Sequence, residues 1–125
     1  MVVGIVDDDR DLLKALRRLL SAFGHDTELF SSAEEFLGVA LVSKAECLVV
    51  DVQLGKMSGL DLVRRLSAIG IKLPVICMSG SVQDKFRKEA LGLGCTAYLQ
   101  KPFDPALLIA AVEKATGARA AVKAN

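Results

Sequence analysis

The stretch that decides the fold is Cys47–Leu62, CLVVDVQLGKMSGLDL. Four apolar residues, Cys47 to Val50, run without alternation into a single acid, Asp51. Such a run, followed by Gln53, Gly55, Lys56, Ser58 and Gly59, reads as a strand buried on both faces and then a polar loop. A helical period begins directly afterwards. Leu60, Val63, Leu66 and Ile69 recur at steps of three, Ser58 with Asp61 fits a capping box, and Gly70 ends the segment. The unit is therefore strand, loop and helix, with a carboxylate delivered where the strand ends.

Working outward, the same unit recurs. Val2–Val6 is a short apolar run ended by Asp7, Asp8 and Asp9, and Leu12, Leu16, Leu19, Leu20 and Phe23 follow at helical spacing up to Gly24. Thr27–Phe30 is a second strand, and Ser31 with Glu34, or Ser32 with Glu35, opens a second helix. The third strand covers Glu46–Val50 and the fourth Pro74–Met78, which a turn at Ser79, Gly80 and Ser81 joins to a helix over Val82–Leu93. Thr96–Leu99 is the fifth strand. Asp104 as N-cap and Pro105 at the first helical position start a last helix through Leu108, Ala111, Val112 and Ala115. Five strand-then-helix units predict an α/β fold, a doubly wound parallel sheet with right-handed crossovers. Residues 1–117 form the domain, and residues 118–125 read as a tail or the start of a linker.

The totals narrow the class. At 125 residues the chain is one domain, and 52% apolar residues suffice for a core. A net charge of +1 gives no electrostatic footprint for nucleic acid or an anionic membrane. MVVGIVDDD lacks the basic start of a signal peptide, and no apolar run approaches the roughly 20 residues that span a bilayer. A cytoplasmic location is expected. Cys47, Cys77 and Cys95 are odd in number and form no C-x-x-C pair, so they read as small buried side chains rather than a disulfide framework or zinc site.

In an open α/β sheet, ligands bind beyond the carboxyl ends of the strands. Those ends carry Asp7-Asp8-Asp9, Asp51, Ser79-Gly80 and Gln100-Lys101-Pro102. Carboxylates from two neighbouring strands repel unless a cation joins them, and Mg2+ suits one or two carboxylates plus water and phosphate oxygens. Beside such a cation a carboxylate becomes a candidate phosphoryl acceptor, with a lysine and a serine to bind the phosphoryl oxygens. Taken singly, each residue has a blander reading as a cap, turn or solvated group. Their meeting at one edge is the signal.

With IVDDD, VVDVQLGKMSG, CMSG and YLQKPF in this order, the chain resembles the receiver domains of two-component response regulators over about Val2 to Ala115. SSAEEFL and KPF liken it to receivers that precede helix-turn-helix output domains. The resemblance implies a flavodoxin-like sheet of order 2-1-3-4-5 and phosphorylation of Asp51 by a sensor histidine kinase. It implies Mg2+ (or Mn2+) held by Asp7, Asp8, Asp51 and the backbone carbonyl of Gln53. Ser79 and Lys101 would bind the phosphoryl group, Tyr98 would turn inward as Ser79 moves, and Lys101–Pro102 would be cis. Asp9 would cap the first helix. The protein would be a signalling phosphoacceptor, catalysing only its own phosphorylation and dephosphorylation. Its readout would be a homodimer, or control of an output domain or downstream partner, through helix 4, strand 5 and helix 5, with transcription the regulated process. Neither nucleic acid nor membrane would touch this domain directly.

One departure stands out. Leu54-Gly55 occupies the place where the family commonly has Met-Pro; leucine keeps an apolar plug and glycine loosens the loop. Two rival readings stand beside this one. A Mg2+-dependent aspartyl phosphohydrolase would use Asp7 and Asp9 but leaves Asp51 without a role and lacks a second acidic pair after the lysine. A phosphorylation-independent binding module has no need of the acids or lysine. A dinucleotide-binding domain would need a G-x-G-x-x-G after the first strand, and none is present.

Overall fold

The computed structural model of the chain describes the backbone of residues 1–124 and the side chains of residues 1–117. The tail expected over residues 118–125 therefore lies outside the fully described residues. Five strands and five helices alternate: β1 (Val2–Val6), α1 (Arg10–Ala22), β2 (Asp26–Phe30), α2 (Ala33–Val39), β3 (Cys47–Asp51), α3 (Gly59–Ala68), β4 (Val75–Ser79), α4 (Asp84–Gly92), β5 (Ala97–Gln100) and α5 (Pro105–Ala124). All four pairings are parallel and the order is β2-β1-β3-β4-β5, as expected. No helix among the described residues is long and apolar enough to cross a membrane.

Successive side chains of a strand point to opposite faces, and here each face meets its own helices. Val3, Ile5, Cys47, Val49, Ile76 and Met78 pack with Leu13, Leu16 and Leu20 of α1 and Leu108, Ile109 and Val112 of α5. Val6, Leu48, Val50, Val75 and Cys77 pack with Phe36 of α2, Leu62, Val63 and Leu66 of α3, and Ala90 of α4. This is why β1, β3 and β4 are nearly continuous apolar runs: all five residues of β3, and all five of β4, are buried.

The boundaries sharpen the sequence reading at the functional edge. β3 extends through Asp51 and β4 through Ser79, one residue further than their apolar runs, because the ladder continues opposite them: Asp51 pairs with Met78 and Ser79 with Gln100. Both residues are therefore aimed by the sheet. The helix starts follow local chemistry. Asp9 Oδ1 accepts from the backbone N–H of Asp11 and Leu12, capping α1. Ser58 and Asp61 make the expected reciprocal box on α3. At α2 the two overlapping motifs merge: Ser32 Oγ accepts from Glu35 N–H, while Glu35 reaches back to the hydroxyl of Ser31 at 2.9 Å. Asp104 Oδ1 accepts from Ala106 N–H ahead of α5.

Candidate phosphoryl-transfer site

The sheet brings Asp7 from the end of β1, Asp51 from the end of β3, Ser79 from the end of β4 and Lys101 from just beyond β5 to one edge. Asp7 is fully buried, and Asp51 and Ser79 are buried as well. Lys101 Nζ donates to Asp7 Oδ2 at 2.7 Å and to Asp51 Oδ2 at 2.9 Å, so one ammonium bridges two carboxylates. The other oxygen of each acid is held by its own loop. Asp7 Oδ1 accepts from Asp9 N–H at 2.9 Å, and Asp51 Oδ1 accepts from Gln53 N–H at 2.8 Å. Both carboxylates are thus oriented by groups of the protein itself.

Electrostatics leave this cluster short of positive charge. Burial raises the pKa of Asp7, outweighing the Lys101 hydrogen bond and the Asp9 N–H, which lower it, while the charge of Asp51 raises it further. Burial by itself would lower the pKa of Lys101, yet its hydrogen bonds to Asp7 and Asp51, with their charges, raise it overall. The ammonium stays protonated and still does not fully compensate two acids. Asp8 adds an exposed third carboxylate, and ligand oxygens of Asp7, Asp8 and Asp51 lie within 4.8 Å of one another. An all-oxygen set with excess negative charge suits a hard divalent cation, so these residues could hold a metal ion.

Ser79 and Tyr98 complete the expected set in different ways. Ser79 Oγ donates to Gln53 Oε1 at 3.3 Å and accepts from Ser81 N–H at 3.0 Å. Its hydroxyl therefore joins the loop after β3 to the loop after β4. Tyr98 is half-buried on β5 and lines a cavity of about 190 Å³ with Ser81, Val82 and Arg87. Its buried hydroxyl has no hydrogen-bond partner among the described residues. Lys101–Pro102 is cis.

Two features escaped the sequence. The resemblance implies a role for the backbone carbonyl of Gln53 alone, but its side chain is the partner of Ser79; no spacing rule signals a glutamine on a loop. Gly59 read as a loop residue. In the structure a Cβ there would lie 2.2 Å from the carbonyl oxygen of Asp51, so only glycine lets α3 start against the end of β3. Leu54 is buried, as the apolar plug requires, and a side chain at Gly55 would meet open space.

Comparison with known proteins identifies the family and the fold. The family model of the response regulator receiver domain matches residues 3–113. The response regulator protein TodT of Pseudomonas putida is 37% identical over 114 residues, covering 91% of this chain and 50% of TodT. The transcriptional regulatory protein FixJ of Azorhizobium caulinodans is 36% identical over 115 residues, covering 92% of this chain and 54% of FixJ. The chain spans about half the length of the curated relatives it matches. The crystal structure of FixJ-N superimposes with a TM-score of 0.87 at 33% identity, covering 93% of each chain. Full-length FixJ from B. japonicum superimposes with a TM-score of 0.86 at 30% identity, covering 92% of this chain and 57% of that one. A sheet that aims two acids, a serine and a lysine at one edge, in a chain matched almost end to end, leaves one conclusion: this chain belongs to the receiver domain family of two-component response regulators.

Proposed function

We propose that Asp51 is the phosphoacceptor of this receiver and that phosphorylation resets the β4–α4 side of the domain. The observation that carries the reading is the pre-oriented Asp51 carboxylate, with Gln53 N–H on one oxygen and Lys101 Nζ on the other. Asp7, Asp8, Asp51 and the Gln53 carbonyl would hold Mg2+ (or Mn2+), which supplies neutralisation of charge on the transferred phosphoryl oxygens. An Asp51 oxygen attacks the phosphorus of a phosphohistidine on a sensor histidine kinase; the O–P bond forms as the P–N bond breaks, and imidazole leaves. Lys101, already protonated between the acids, follows the new negative charge.

The added group brings about −1.5 to −2 charges and three acceptors. Ser79 answers it by releasing Gln53 Oε1 and donating to a phosphoryl oxygen. Because Ser81 N–H is bonded to Ser79 Oγ, the β4–α4 loop follows. Tyr98, which lines the cavity beside that loop, turns inward. The phosphoryl group shifts the equilibrium only by the contacts it gains in the moved state, and Ser79 and Lys101 supply that difference. Val82, Leu91 and Leu107 are exposed apolar groups beside or on α4 and α5, which suits a homodimer or docking of an output domain or partner there. The names of TodT and FixJ support regulation, in FixJ's case of transcription, as the process served.

The test is intact mass and peptide mapping after incubation with Mg2+ and a small phosphodonor. One phosphoryl group is expected on Asp51, absent in Asp51→Asn. A phosphoryl group retained in Asp51→Asn, or mapped to Asp7 as a phosphohydrolase would place it, overturns the assignment.

A further inference from the structure

The site above leaves the cysteines unused. Cys77 sits in the middle of β4, fully buried, and Cys95 sits in the corner between α4 and β5. Their sulfurs are 3.1 Å apart, with Cys77 Sγ donating to Cys95 Sγ, and no disulfide joins them. The pair is asymmetric in two respects. Cys95 lines a cavity of about 410 Å³ whose wall includes Leu66, Ile71, Pro74 and Leu93, whereas Cys77 does not reach it. The hydrogen bond also favours a thiolate at Cys95, pulling its pKa down against burial, while that bond and burial push the Cys77 thiol up.

We propose that Cys95 is a peroxide-reactive thiol and Cys77 its resolving partner, closing an intramolecular disulfide beneath α4. The Cys95 thiolate attacks one oxygen of hydrogen peroxide that enters through the cavity. The S–O bond forms as the O–O bond breaks, and hydroxide leaves, becoming water with one proton. Cys95 is oxidised by two electrons to a sulfenic acid as the peroxide is reduced. Cys77 sulfur then attacks Cys95 sulfur; the S–S bond forms, the S–O bond breaks, and the thiol proton leaves with the hydroxyl as a second water. A dithiol reductant reverses the step.

The bond would matter because of where it lies. Cys77 shares a face of β4 with Ser79, two residues on. Cys95 N–H donates to Ala90 O, and Ala90 is the one buried residue of α4. A disulfide therefore ties the end of α4 to the strand that carries Ser79. This consequence rests on the phosphorylation reading, whereas the thiol chemistry does not.

The experiment treats the reduced native chain with hydrogen peroxide and maps peptides without reductant. A Cys77–Cys95 linked peptide lighter by two hydrogens, reversed by dithiothreitol, is expected. In Cys77→Ser, which keeps a donor toward Cys95 Sγ but cannot close the disulfide, dimedone should label Cys95; in Cys95→Ala, Cys77 should stay unmodified. Both thiols remaining reduced in the wild-type chain, or linkage through Cys47 instead, overturns the proposal without recourse to any variant. Hydrogen exchange with and without beryllofluoride then tests the lock. A response of α4 that is smaller in the oxidised than in the reduced protein supports it, and an equal response overturns it. A response missing from the reduced protein overturns the switch and the lock with it, while the linked peptide still decides the thiol chemistry.

Discussion

Helices α3 and α4 each follow a strand that ends in a site residue, and they are built differently. α3 follows Asp51. Its start is fixed by a full capping box, its glycine sits against the end of β3, and Gly59, Leu60, Leu62, Val63 and Leu66 are buried. α4 follows Ser79. Its N-cap, Gln83, makes no side-chain cap bond among the described residues, and Ala90 is its only buried residue. The ion pair between Arg64 of α3 and Glu89 of α4 is exposed and adds little anchorage. The proposed acceptor, Asp51, therefore stands on the fixed side of the site and the proposed responding hydroxyl, Ser79, on the loose side. A switch needs that asymmetry: the phosphoryl group must stay put while the groups it recruits move.

The contrast can be broken by mutation. Leu62→Ala should cost about 2–5 kcal/mol, as a fully buried leucine lost from the core, whereas Ala90→Gly should cost about 1–2 kcal/mol, from helix propensity and one buried methyl. Urea unfolding of the two variants checks this, and equal losses would mean that α4 is anchored as firmly as α3. Lys101→Met removes the bridge between the two buried acids and should cost about 3 kcal/mol in chelator; a divalent cation should restore much of it. The folded pKa of Lys101 lies above its ordinary 10.5. Its stabilising contribution is therefore complete below that value and lost as pH rises through the folded pKa. Unfolding midpoints followed from neutral to alkaline pH should show this loss in the wild type and not in Lys101→Met.

Ser58→Ala should cost α3 about 1 kcal/mol as a lost cap. Asp61 lies below its ordinary 3.8, chiefly through its bonds with Ser58. The stability it contributes is present above 3.8 and disappears as pH falls through the lower folded value, so the acid limb of the stability profile should flatten in Ser58→Ala. Gln83→Asp should act in the opposite sense on α4, adding about 0.5–1 kcal/mol by supplying the missing cap. By stiffening the loose helix it should also reduce the beryllofluoride response of α4 measured by hydrogen exchange.

Much of this was legible in the chain because each fact had a local cause. Apolar runs gave the strands, capping residues gave the helix starts, and the strand ends gave Asp7, Asp51, Ser79 and Lys101. What was not legible depends on contacts between distant segments. The Ser79–Gln53 bond spans 26 residues and the Cys77–Cys95 contact 18, and neither follows from a period or a cap. The apolar runs stop one residue short of the strand ends at Asp51 and Ser79 because polar side chains hide a ladder that continues through the backbone. Gly59 looked like loop punctuation because its need, the closeness of Asp51 O, lies in another element.

The most direct test of the account is hydrogen exchange across the whole chain with Mg2+ and beryllofluoride, in the wild type and in Asp51→Asn. The expected result is altered exchange over the β4–α4 loop, α4 and β5 in the wild type, little change in the core of α3, and no response in Asp51→Asn. A response as large in α3 as in α4, or one that persists in Asp51→Asn, would contradict it.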